Sequence, residues 1–207
     1  MKKVLLIVDP QIDFCDPSGS LYVKGAEGKM RNLAEWIKKE NPEEIFITLD
    51  SHYPLHIGFQ NSWTNKKGEK PSLFSTIKPQ EEGWKTYVND TPPKEVQIWP
   101  EHCIIGTTGH SIYPILSDTL RNWQIENKRI WFPIYKGSNC AVEEYGAFSN
   151  PVVQEMVKND FKNSNLYVAG VAGDYCVREC LEQLKNINIP GCTIESLENC
   201  IAWINKN

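Results

Sequence analysis

Apolar positions along the chain fall into two rhythms that alternate. Residues 4–8, Val-Leu-Leu-Ile-Val, are apolar without interruption, as expected of a central parallel strand covered on both faces. Residues 44–49 and 166–171 read as further buried strands. Residues 129–135 are apolar and aromatic enough for another, although Pro133 places it at an edge or makes it irregular. A last strand is expected near residues 192–194, followed by a short terminal helix. Between these runs the spacing changes to that of helices. Met30, Leu33, Ala34 and Ile37 form one stripe, and Ile115, Leu116, Leu120 and Trp123 form a second. Residues 151–161 read as a third helix, and Val177, Cys180, Leu181 and Leu184 mark a fourth. Strands that alternate with helices predict an α/β three-layer sandwich around a mainly parallel sheet.

The polar residues that matter stand where these runs stop. The first strand ends in Asp9-Pro-Gln-Ile-Asp-Phe14, and the second in Asp50-Ser-His52, with His56 four residues on. The edge strand runs into Lys136-Gly, and the strand at 166–171 into Gly173-Asp174-Tyr175-Cys176. In open α/β sheets ligands bind beyond the carboxyl ends of the strands. Asp174 reads as a helix N-cap, which puts Cys176 in the first turn of the helix. Unpaired N–H groups and the helix dipole there favour a thiolate and can hold an oxyanion, so Cys176 reads as a nucleophile. The plainer alternative is a core thiol, because free cysteine is among the most buried residue types.

Asp beside a thiol can take its proton, and Lys can steady negative charge on both. Taken singly, Asp9 could be a turn residue and Lys136 a solvated one. Asp50, His52 and His102 make a ligand set suited to a borderline divalent metal, against the alternative of exposed histidines and a turn aspartate. His56 is a candidate fourth ligand or a residue behind the ligands. His110 follows Thr107-Thr-Gly109 and receives no role.

Composition narrows the classes. The 207 residues, 41% hydrophobic, suit one domain over residues 1–207. Within it residues 60–98, rich in Lys, Glu, Pro and Gly, form a long loop excursion, either a lid over the site or plain surface. A net charge of −4 gives no footprint for nucleic acid or an anionic membrane. No apolar run approaches a membrane span, and the start of the chain reads as a strand instead of an export signal. Seven cysteines without paired spacing argue for reduced thiols and a cytoplasmic protein. A GxGxxG fingerprint is missing, which disfavours a dinucleotide fold.

Five motifs occur in order along the chain: Asp9-x-Gln-x-Asp-Phe14, Asp50-x-His52-x-x-x-His56, Trp99-Pro-x-His-Cys-x-x-Gly-Thr107, Lys136-Gly and Gly170-Val-Ala-x-x-Tyr-Cys-Val177. Together they resemble the nicotinamidases of the isochorismatase-like cysteine hydrolases. The resemblance implies a sheet of about six parallel strands and a catalytic triad of Asp9, Lys136 and Cys176. It puts metal ligands on Asp50, His52 and His102, with one divalent ion, zinc in the first place and iron or manganese as alternatives. It implies a cis peptide between Val171 and Ala172, and an oxyanion hole formed by the N–H groups of Ala172 and Cys176. Phe14 and Trp99 would wall a pyridine ring, with Tyr175 at the rim. The implied reaction is hydrolysis of nicotinamide to nicotinate and ammonia through a Cys176 thioester. Two alternatives stand beside it, a relative acting on another small amide and an idle member that only binds a ligand. The partner is then a small molecule, nicotinamide or a close analogue. A homo-oligomer is common for enzymes of this size, but no residue proves one.

Overall fold

The computed structural model describes residues 1–205. Five parallel strands form the central sheet: β1 (Lys2–Val8), β2 (Glu44–Asp50), β7 (Phe132–Lys136), β8 (Ser164–Gly170) and β9 (Thr193–Ile201), in the order β7-β2-β1-β8-β9. α2 (Ala26–Glu40) and α4 (Pro114–Asn127) cover one face. α5 (Pro151–Asp160) and α6 (Cys176–Ile187) cover the other. The period of two along β1 sorts its side chains accordingly. Leu5 and Ile7 pack with Met30, Leu33, Leu120 and Trp123, whereas Val4, Leu6 and Val8 pack with Val157, Val177 and Leu184. All five of these β1 side chains are fully buried, which is why the run carries no polar residue.

The sheet has five strands where the resemblance implied about six. The apolar runs of this chain number five, and each became a strand. β9 extends well past the residues expected for it, since an edge strand with one wet face needs no continuous apolar run. No helix follows it among the described residues, because the chain after Ile201 is tied down in an irregular conformation. The Asp174 carboxylate accepts from the backbone N–H groups of Ile204 and Asn205, both at 3.0 Å. Asp174 is therefore not the helix cap expected of it. That position falls to Tyr175, which gives no side-chain bond to the helix.

Residues 60–98 are neither a bare loop nor part of the sheet. They hold two short antiparallel ribbons, β3 (Trp63–Thr64) with β5 (Lys85–Thr86) and β4 (Thr76–Ile77) with β6 (Val96–Gln97), and a one-turn helix α3 (Pro79–Glu82). Trp63, Ile77, Val96 and Ile98 close over Ile57 as a small core of their own. Among the described residues no helix is long and apolar enough to cross a membrane.

Candidate active site

The order of strands reverses beside β1, with β2 on one side and the later β8 on the other. A crevice opens at such a switch point, at the carboxyl ends of the strands. Register then decides what meets there. Val8 pairs with Thr48 and with Gly170, so Asp9 leaves the sheet next to Thr48. Asp50 pairs with Lys136, which sets a carboxylate and an ammonium side by side on neighbouring strands.

Lys136 is the centre of the arrangement. Its Nζ lies 3.0 Å from Asp9 Oδ2, 3.0 Å from Asp50 Oδ1 and 3.5 Å from Cys176 Sγ. The exposure of the three charged residues does not exceed 4%. Asp9 Oδ1 accepts from the Thr48 hydroxyl at 2.6 Å, while Oδ2 is buried without a well-aligned hydrogen-bond donor. That oxygen faces the Lys136 ammonium, which also faces the Cys176 thiol. Burial pushes the Asp9 carboxyl up despite Lys136, and pushes the Cys176 thiol well up against the same ammonium. Burial opposes the charge on Asp50 as well, but the Lys136 ammonium holds its carboxyl well below the usual range. Lys136 is raised well above its usual value because two carboxylates outweigh its burial.

Cys176 opens α6, so its N–H is one of those a helix leaves unpaired. The preceding Val171–Ala172 peptide is cis. Gly137, the second residue of the Lys-Gly motif, has φ +75, and a Cβ there would come within 2.5 Å of the His52 ring and 2.9 Å of Asp50 Oδ1. Only glycine fits.

His102 reaches the site along irregular backbone. Isolated parallel bridges join Phe59 to Trp99 and His52 to Ile104, which lays the 99–105 segment beside the end of β2. His52 Nε2 is 2.9 Å and His102 Nε2 3.3 Å from Asp50 Oδ2, and the three ligand atoms lie within 4.8 Å of one another. The opposite ring nitrogens face carbonyls, His52 Nδ1 at 2.9 Å from Gly137 O and His102 Nδ1 at 2.8 Å from Pro100 O. Those carbonyls require N–H at Nδ1, which turns both Nε2 lone pairs toward the carboxylate. Three electron-pair donors aimed at one point repel unless a cation sits among them. The residues fit a divalent metal.

His56 stands behind this group. Its Nε2 is 2.9 Å from Val142 O, its Nδ1 accepts from Gly58 N–H at 3.2 Å, and its ring centroid is 4.2 Å from that of His52. Both nitrogens are occupied, and burial lowers its pKa to about 3.

Phe14, Trp99 and Tyr175 line a narrow cavity of about 30 Å³ that also exposes Asp50, His102, Lys136, Ala172 and Cys176. Phe14 sits 5.3 Å from the His102 ring and Trp99 5.3 Å from Tyr175, centroid to centroid. The wall also contains residues that the sequence did not point to, among them Tyr145, Ile204 and Glu143. Tyr145 accepts from Trp99 Nε1 at 3.2 Å, and Ile204 comes from the segment held by Asp174. The Glu143 carboxyl, half-buried, is raised to about 7 by desolvation. Nothing in the polar stretch after Gly137 distinguishes Glu143 or Tyr145 from surface residues. His110, given no role, lies outside the cavity with its Nε2 2.8 Å from the Ser51 hydroxyl.

No protein-family model matches the sequence. The nicotinamidase of Saccharomyces cerevisiae is 26% identical over 185 residues, covering 85% of this chain and 78% of that one. The yeast nicotinamidase Pnc1p bound to the inhibitor nicotinaldehyde superposes with a TM-score of 0.74 at 23% identity, over 99% of this chain and 90% of the other. This is the nicotinamidase fold. The pyrazinamidase of Pyrococcus horikoshii in complex with zinc shares it, with a TM-score of 0.64 at 22% identity over 99% and 88% of the two chains.

Proposed function

We propose that this chain is a metal-dependent nicotinamidase, a cysteine hydrolase that converts nicotinamide and water to nicotinate and ammonia. One observation carries the reading. A thiol and two carboxylates gather around a single buried ammonium beside an aromatic-walled cavity, and one of those carboxylates, Asp50, also meets two imidazoles. The similarity to nicotinamidases, one of them holding the inhibitor nicotinaldehyde, supports nicotinamide as the substrate among small amides. An idle ligand binder has no use for a buried Lys136 that must be balanced by two acids, which disfavours that alternative.

In this reading residues 1–207 act as one hydrolase domain, and the 60–98 segment leads into Trp99 on the cavity wall. Asp50, His52 and His102 hold the ion, with zinc favoured by the imidazole-rich set and by the zinc-bound relative, and iron or manganese compatible with it. When bound there, the ion would supply Lewis acidity toward the ring nitrogen of the substrate. Phe14 and Trp99 sandwich the ring, Tyr175 closes the rim, and the carboxamide carbon comes to Cys176 Sγ.

The thiol proton passes to Asp9 Oδ2 as sulfur attacks, and the developing oxyanion meets the N–H groups of Ala172 and Cys176. Asp9 returns that proton to the departing amine, and ammonia leaves the thioester. Asp9 then takes a proton from water, which attacks the thioester and frees nicotinate and the thiol. Lys136 keeps Asp9 oriented and balances its charge through both steps. Burial keeps the resting sulfur a thiol, so the proton moves in concert with attack.

The deciding experiment is ammonia release from nicotinamide, measured with and without a chelator, on the wild type and on Cys176→Ala. Turnover that the chelator removes, zinc restores and Cys176→Ala lowers by about ten-thousandfold fits the proposal. Substantial activity in Cys176→Ala would rule out the covalent route. Pyrazinamide, nearly the same shape, should be cleaved too.

A further inference from the structure

The segment after Asp9, which runs into the one-turn helix α1 (Ile12–Cys15), carries two more polar side chains that the reaction does not use. Gln11 is fully buried. Its Oε1 accepts from the Asp50 N–H at 2.7 Å, and its Nε2 donates to Asp50 O at 2.7 Å and to His110 O at 3.0 Å. β1 has stopped at Val8, opposite Thr48, so Asp50 has no strand beside it on that side. The Gln11 amide, with one donor and one acceptor, supplies the missing rung. Two residues later, Asp13 Oδ2 accepts from Cys103 N–H at 2.7 Å, and its Oδ1 accepts from Ser20 N–H at 3.2 Å. Cys103 directly follows His102 and has φ +49, a left-handed conformation that a non-glycine residue keeps only when its surroundings fix it. Gly109 leaves the room for this carboxylate, which a Cβ there would strike.

We propose that Gln11 and Asp13 are positioning residues for the cation site, Gln11 by fixing the backbone of Asp50 and Asp13 by fixing the turn that presents His102. This rests on the metal part of the proposed function. Its consequence is a fixed spacing. The same short segment that carries the proton-accepting Asp9 also sets the ligands that anchor the substrate ring. Ring and carboxamide are thereby held in register with the thiol, which is how a positioning residue reaches the rate.

The test is the zinc dissociation constant, measured by chelator competition on full-length protein, for wild type and for Gln11→Glu, Gln11→Met, Asp13→Asn and Asp13→Ala. The thermal midpoint of each metal-free form is recorded alongside. Gln11→Glu separates positioning from simple charge. An added anion next to a cation site tightens zinc if charge alone matters, but it also turns an oxygen toward two carbonyls. Positioning predicts that Gln11→Glu, Gln11→Met and Asp13→Ala weaken zinc about tenfold or more, the usual range for groups behind metal ligands. Asp13→Asn should lose less, since its amide oxygen still accepts from Cys103. Nicotinamide KM should rise more than kcat falls, and excess zinc should restore both. Wild-type zinc affinity in folded Gln11→Met and Asp13→Ala, or tighter binding in Gln11→Glu, would overturn the inference while leaving the hydrolase reading intact. If the Met and Ala variants fail to fold, Gln11→Glu and Asp13→Asn decide it by the same criterion. A wild type that binds no zinc removes the metal reading, and this inference falls with it.

Discussion

Both ends of the central sheet carry lysine–carboxylate pairs at nearly the same distances. At the amino end Lys2 Nζ meets Glu44 at 2.8 Å and Lys3 Nζ meets Glu40 at 2.8 Å, with side chains about a third exposed. At the carboxyl end Lys136 meets Asp9 and Asp50 at 3.0 Å each, with side chains 5% exposed or less. The amino end faces an open hollow of about 590 Å³ lined by Lys2, Glu44, Arg129 and Phe132. The carboxyl end faces a much narrower cavity of about 30 Å³. Distance therefore does not separate the two ends, and solvent does. Water screens the first set, so each pair contributes about 0–1 kcal/mol. In the second set the ions have lost their hydration, and only mutual pairing offsets that loss. Buried charge that does not improve stability is retained for chemistry, which is why the site belongs at the carboxyl end.

The largest break in this comparison is Lys136→Met. It leaves Asp9 and Asp50 buried together without their cation, so metal-free protein should lose about 3–5 kcal/mol of stability. Urea unfolding of chelator-treated wild type and variant measures this, and turnover should vanish as well. A loss under about 1 kcal/mol would mean that the carboxyl end is as well solvated as the amino end.

Acid sharpens the contrast next. Asp50 is depressed well below its unfolded value of 3.8 and Lys136 is raised well above 10.5. The Asp50 contribution is thus fully present above about pH 4 and drains away as pH falls through the folded pKa. The Lys136 contribution is present below 10.5 and is lost as pH rises through its own folded pKa. Asp9, raised by burial, has the opposite sign to Asp50, and its ionised form weighs on the fold as pH rises through its folded pKa. In metal-free protein the stability gap between wild type and Asp50→Asn should hold through neutral pH and narrow below about pH 4. Thermal melting across pH checks it. A gap unchanged at pH 3 would show that Asp50 is not held ionised by Lys136.

The contrast between the ends also explains what could be seen in the sequence. β1, β2 and β8 announced themselves because strands covered on both faces leave no polar gaps. Their terminal Asp9, Asp50 and Cys176 were visible as chemistry at strand ends, where polarity resumes abruptly. β9 was only partly visible, because its wet edge mixes Glu and Asn into the run. The expected terminal helix is instead an irregular tail held by Asp174, a tertiary bond that no local pattern encodes. His102 could be named as a ligand by its type, but its approach depends on single bridges between Phe59 and Trp99 and between His52 and Ile104. Glu143 and Tyr145 left no signal because they meet the cavity from an irregular polar segment without periodicity.

The smallest effect belongs to the amino end, and it closes the comparison from the other side. A double-mutant cycle on Lys2 and Glu44 removes a 2.8 Å contact, shorter than any that Lys136 makes. If geometry governed strength, this cycle would report the larger coupling. Solvent governs it instead, because holding two long side chains in one pose costs rotamer entropy that a screened attraction barely offsets. Lys2 also donates to Asp160 O at 2.6 Å, so the single Lys2→Ala change includes that loss and only the cycle isolates the pair. The coupling should come out at about 0.5 kcal/mol and fall further at 1 M salt, where the screening length shrinks to about 3 Å. A coupling above about 2 kcal/mol that ignores salt would place the amino-end pair in the same dry regime as Lys136, and burial would no longer distinguish the two ends.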